Sequence, residues 1–140
     1  MKKTIKSFLL IALSMLMCFT SITAHAVEVE NQIMPRLSHI ADASFAFTAT
    51  NSGGHITATY TGYEASFVSA KLTVKVEDRY LWVFWSEVGT WTATCTDIDG
   101  IFSYVMPLNA PGTYRAIFTL EVTGKDGTVD VITDTIESAY

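Results

Sequence analysis

From Ser44 onward, apolar and polar residues alternate with a period of two along most of the chain. The clearest run is 69–77. Ala70, Leu72, Val74 and Val76 fall on one face, and Lys71, Thr73, Lys75 and Glu77 on the other, the pattern of a half-buried strand. The same alternation places Phe45, Phe47 and Ala49 against Ser44, Ala46, Thr48 and Thr50 in 44–50. In 55–61 it sets Ile56, Ala58 and Tyr60 against threonines, and in 90–96 it does so for Trp91, Ala93 and Cys95. Tyr114, Ala116, Phe118, Leu120 and Val122 line one face of 113–122, and 101–106 and 128–137 complete the set. Asn51-Ser52-Gly53-Gly54, Glu87-Val88-Gly89, Asp97-Ile98-Asp99-Gly100, Pro111-Gly112 and Thr123-Gly124-Lys125-Asp126-Gly127 punctuate these runs with residues that suit turns. No segment holds a helical period over ten residues. The spacing predicts an all-β, Ig-like β-sandwich of about seven to eight mainly antiparallel strands.

One stretch breaks the half-buried pattern. Tyr80-Leu81-Trp82-Val83-Phe84-Trp85, taken as a strand over 80–86, is apolar on both faces. Leu81, Val83 and Trp85 make the conventional core side, which leaves Tyr80, Trp82 and Phe84 as the candidate binding face. Three readings of the aromatics stay open. They fill the core of a domain without disulfides, they form a surface for a partner or for self-association, or they stack on sugar rings as a carbohydrate platform.

The chain opens with a basic segment, Met1-Lys2-Lys3-Thr4-Ile5-Lys6, followed by an apolar run over 8–19 and by Ala24-His25-Ala26. This is the layout of a secretory signal peptide cleaved after Ala26. The apolar run is short for a bilayer span, and Met17 before Cys18 disfavours a lipidated cysteine. The expected organisation is a signal peptide over 1–26, an N-terminal arm over 27–43 and a β-sandwich domain over 44–140.

After cleavage, residues 27–140 keep all 14 acidic residues and six of the nine basic ones. A net charge near −8 argues against nucleic acid and anionic membrane surfaces, both of which need clustered cations. No stable membrane insertion is expected once the signal is removed, and the protein is expected to be released outside the cell. Only Cys95 survives cleavage, so no intramolecular disulfide can form and the apolar core must carry the fold.

Candidate chemistry is sparse. Cys95 with His55 could form a thiol–imidazole pair only if folding brought them into hydrogen-bond reach. The other mature histidine is His39, and nothing in the spacing joins any of the three. Asp97 with Asp99, and Glu77 with Asp78, read as turn carboxylates rather than as a glycosidic acid–base pair. Asp97-x-Asp99-Gly100 opens like a calcium loop, but the later closing acid is missing. No metal or other cofactor is expected, and no catalytic residues. Tyr114, just after Pro111-Gly112, has the placement of a tyrosine corner, whose hydroxyl ties the preceding loop to the backbone.

Pro35-Arg36, Gly53-Gly54, the Leu72-x-Val74-x-Val76 strand, the tryptophan-rich stretch, Gly112-Thr113-Tyr114-Arg115 and the final hairpin together resemble a group of small secreted proteins of Gram-positive bacteria with an Ig-like β-sandwich. The resemblance spans Met34 to the C-terminus. It implies a fold and a compartment, and no activity. The expectation is a secreted, non-enzymatic binding or interaction module for an extracellular protein or glycan, with carbohydrate binding through an aromatic sheet face as the alternative.

Overall fold

The period-two runs become seven strands in a computed structural model that describes residues 37–140. The leader, Cys18, Pro35-Arg36 and most of the arm lie outside the described residues. The described residues belong to one compact unit. The strands are β1 (Ile40–Thr50), β2 (Gly53–Gly62), β3 (Phe67–Tyr80), β4 (Phe84–Cys95), β5 (Asp99–Met106), β6 (Thr113–Gly124) and β7 (Val129–Ala139). One sheet has the order β1-β2-β5 and the other β4-β3-β6-β7. Every pairing is antiparallel.

The two sheets pack face to face along the faces the alternation marked. Ala70, Leu72, Val74 and Val76 of β3, with Ala116, Phe118, Leu120 and Val122 of β6, are buried to within a per cent or so of full exclusion. They meet Phe47, Ala49, Ile56, Ala58, Tyr60, Phe102 and Met106 from the other sheet. Phe45 packs on Phe118 in a tilted arrangement, 5.1 Å between ring centroids. Trp91 of β4 lies almost parallel to Tyr104 of β5 at 4.9 Å, which seals one open side of the sandwich. On the other side the Ala49 N–H donates to Ser138 Oγ at 3.0 Å. Many outward positions are polar: one row across the larger sheet reads Thr92, Thr73, Thr119, Thr133.

Ends of strands are tied by particular side chains. Tyr114 Oη donates to the Ala110 carbonyl, the tyrosine-corner bond expected for this position. The approach to β1 is clamped to the β6–β7 hairpin. The Asp130 carboxylate accepts the Ser38 and His39 N–H groups at 2.7 and 2.6 Å. The buried His39 ring lies on the backbone of Gly124, where any Cβ would collide with it. Its Nε2 meets Thr128 Oγ1 at 2.7 Å. β1 therefore starts at Ile40, inside the stretch read as an arm, because Ile40 is itself a core residue.

Three expectations about the middle of the chain are corrected. Residues 80–86 are not a strand: Tyr80 ends β3, Phe84 begins β4, and 81–83 form the turn between them. Glu87-Val88-Gly89 is not a turn but a β-bulge. The register shifts where Val76 pairs with Gly89 and Glu77 with Glu87, leaving Val88 extra, as a bulge does. Glu77 and Asp78 accordingly sit within β3 rather than in a turn.

Candidate functional site

The site is built by the β3–β4 hairpin. Tyr80 and Phe84 are cross-strand partners, and the Val83 N–H donates to the Tyr80 carbonyl at 3.3 Å. Leu81 and Trp82 between them have φ of 49° and 66°, positive at both central positions as in the type I′ turns that join twisted strands. Such positions favour Asn and Gly, because a Cβ in the left-handed region crowds the following carbonyl at a cost of roughly 1–2 kcal/mol per residue. Here they hold a leucine and a tryptophan.

The turn projects. Trp82 is 90% exposed, Val83 73%, Phe84 64%, Leu81 62% and Tyr80 60%. Five consecutive apolar or aromatic residues thus stand in solvent. The three candidate binding residues do cluster, but not as one strand face. Tyr80 and Phe84 share a face as a cross-strand pair, while Trp82 sits at the apex. Leu81 and Val83, expected on the core side, are part of the exposed tip. The physical reason is register: β4 must deliver Trp91, Ala93 and Cys95 opposite Val74, Leu72 and Ala70. That alignment places the chain reversal on the apolar run.

Behind the tip, on the outer face of the larger sheet, lies a polar collar that sequence reasoning missed. The Trp85 ring is sandwiched between two guanidinium groups, Arg79 Cζ at 4.8 Å and Arg115 Cζ at 4.2 Å from its centroid, a cation–π arrangement. Arg79 also pairs with Glu137 at 3.2 Å. Arg115 pairs with Glu77 at 2.6 Å, and Lys75 reaches the same carboxylate at 2.8 Å. The Glu77 side chain is only 8% exposed. The hydrogen bond from Lys75, seconded by Arg115, holds its carboxyl below the usual carboxylate range although burial pushes the other way. The alternation could place these residues on the outer face, but only the pairing of β3 with β6 sets Glu77 opposite Arg115.

Beside the tip, Arg79, Leu81, Trp82, Gly112 and Thr113 line an open groove of about 220 Å³. Gly112 is fixed there by reciprocal backbone hydrogen bonds with Tyr140.

The remaining candidates are placed elsewhere. His55 lies at the Gly53 end of β2, bonded to Ser52 Oγ at 2.9 Å. Cys95 ends β4 with its Sγ toward the Asp97 carboxylate at 3.8 Å. Asp97 stands near Tyr60, whose hydroxyl donates to the Asp97 carbonyl. Tyr60 pairs with Gly100 and His55 with Val105 at the far end of the same strand, so thiol and imidazole are not brought together. Burial, first, and then the Cys95 thiol push the Tyr60 phenol well above its ordinary value. Asp99 opens β5 opposite Thr61. Among the described residues, no three His, Cys, Asp or Glu side chains converge as a metal site would require.

No family model matches the chain, and no curated protein does. Among solved structures it is similar to Spo0M, a sporulation control protein from Bacillus subtilis. The TM-score is 0.42 and the identity 10%, covering 74% of this chain and 51% of that one. The chain thus spans about half the length of that protein.

Proposed function

We propose that this protein is a secreted, non-enzymatic binding module whose contact element is the tip of the β3–β4 hairpin, residues 80–84. One observation carries the reading: Leu81 and Trp82 occupy consecutive left-handed positions while remaining exposed. Neither the turn geometry nor the core favours them there. Asn-Gly would make the turn more cheaply, and side chains this exposed stabilise the fold little. Backbone strain held at an exposed feature is characteristic of functional sites. A tryptophan at the apex with aromatic neighbours also has the composition of a binding hot spot. The basic leader, its apolar run and Ala24-His25-Ala26 support export.

A second reading, carbohydrate binding, draws on the groove beside Trp82. The indole, the Arg79 guanidinium and Thr113 line one concavity, and an aromatic face beside polar groups suits a sugar ring. It does not use a flat sheet face, since Trp85 is covered by arginines and Trp91 by Tyr104.

Retention of labelled protein on intact cells tests the tip reading. Replacing Leu81 and Trp82 by Asn and Gly should abolish retention, whereas Ile101→Ser, an exposed change on the opposite sheet, should leave it unchanged. Equal retention of all three proteins refutes the assignment. For the groove, glycan-array binding lost on Trp82→Ala supports the second reading, and an array without signal removes it.

A further inference from the structure

Resting on that reading of the tip, we infer that its occupant is the interfacial region of a zwitterionic phospholipid membrane, entered shallowly and reversibly by Leu81, Trp82 and Val83. The order of chemistry along the hairpin points to lipid. Residues 80–86 carry no charge. The apex is aliphatic and indole, the next level is the Tyr80–Phe84 pair, and the next is Arg79 against Trp85. That sequence matches the profile of a bilayer surface: acyl boundary, aromatic belt, then phosphate depth, the level at which Arg79 stands with its Glu137 partner.

The size of the tip points the same way. The tip offers five exposed residues, whereas a protein interface of standard area uses roughly 20–30 residues on each side. A convex point of this size does not supply a stable dimer by itself. A fluid apolar phase needs no complementary surface, and it accepts a knob that is apolar on every side.

Backbone hydration and net charge set the depth and the lipid type. Of the turn backbone, the Val83 N–H is bonded within the hairpin. Leu81 and Trp82 stand outside the ladder, and their polar backbone groups need hydration that a hydrocarbon core lacks. Insertion therefore stops in the hydrated interface. The acidic mature chain is repelled by anionic headgroups, which favours phosphatidylcholine over phosphatidylglycerol. Shallow docking of this kind is compatible with the expected absence of stable insertion.

The test uses residues 27–140, the chain expected once the leader is removed. Wild type and the L81N/W82G variant are sedimented with phosphatidylcholine vesicles. Both proteins must first show a cooperative unfolding transition, and the variant is expected to keep it because Asn-Gly suits this turn. Wild type should cosediment, its tryptophan emission should shift to the blue, and brominated phosphatidylcholine should quench it. The variant should lose about tenfold or more of the partitioning, because two of the three inserting side chains, the apical indole among them, are gone. Raising salt should not weaken wild-type binding.

Equal sedimentation of the two proteins overturns the inference. So does a preference for phosphatidylglycerol that salt abolishes. Concentration-dependent self-association that the variant lacks would assign the tip to a second copy instead. If vesicles fail but protease-sensitive cell retention still requires the tip, lipid is wrong and the tip reading stands. If neither vesicles nor cells distinguish wild type from variant, both fall.

Discussion

Exchanging Leu81-Trp82 for Asn-Gly should raise the stability of the fold while removing its most exposed apolar surface. Each residue now holds a positive φ, at roughly 1–2 kcal/mol per non-glycine residue. Glycine relieves nearly all of that at position 82, and asparagine relieves part of it at 81. Against this, glycine adds unfolded-state entropy worth about 0.5–1 kcal/mol. Leu81, 62% exposed, forfeits at most about 1 kcal/mol of partial burial. Trp82, 90% exposed, forfeits almost nothing. The balance is a net gain of about 1 kcal/mol, or a rise in Tm of about 4–8 °C for a domain near 100 residues. Thermal unfolding followed by circular dichroism, with the Trp82→Gly single variant alongside, measures it. A fall of several degrees would show that the tip side chains stabilise the sandwich, and the argument that they are held there for contact would collapse.

Other consequences follow from particular contacts. Gly124→Ala drives a methyl group into the His39 ring and should cost about 1–3 kcal/mol as overpacking does. Adding His39→Ala should recover part of that loss in a double-mutant cycle by urea denaturation, and strict additivity would rule out the contact as the cause. Tyr114→Phe removes the bond to the Ala110 carbonyl and should cost about 1 kcal/mol; an unchanged urea midpoint would show that the corner is not tied by that hydroxyl. Glu77→Gln tests the collar through pH. The carboxyl titrates lower in the folded protein than its ordinary 4.5, so its stabilisation is complete above that value. It is lost as pH falls through the depressed folded value. The variant should be less stable by about 2 kcal/mol at neutral pH, and the gap should close in acid. A gap that persists at low pH would locate the effect in packing instead.

Much of the fold was legible because a half-buried strand writes its two faces into the chain. Ala70 to Val76 and Tyr114 to Val122 announced their buried sides by alternation, and Tyr114 announced its corner by following Pro-Gly. The hairpin tip was legible only as an anomaly. Residues 80–85 had the composition of a strand and no turn residue, so propensity pointed the wrong way. Composition alone could not reveal that two left-handed positions held Leu and Trp. The collar was less legible still: Glu77 and Arg115 are 38 positions apart, and no local rule pairs them.

By itself, then, the sequence determined the all-β class, most of the core and the polar outer faces, because these depend on a period of two that each strand carries alone. Tertiary structure decided where the chain reverses between β3 and β4, because one bulge at Val88 and the alignment of β4 on β3 set the phase of the whole hairpin. It decided too that β4 pairs with β3 rather than with β5. And it turned an apparent two-faced strand into a projecting apex, since exposure at 80–84 is a property of where the sandwich ends and not of the residues themselves.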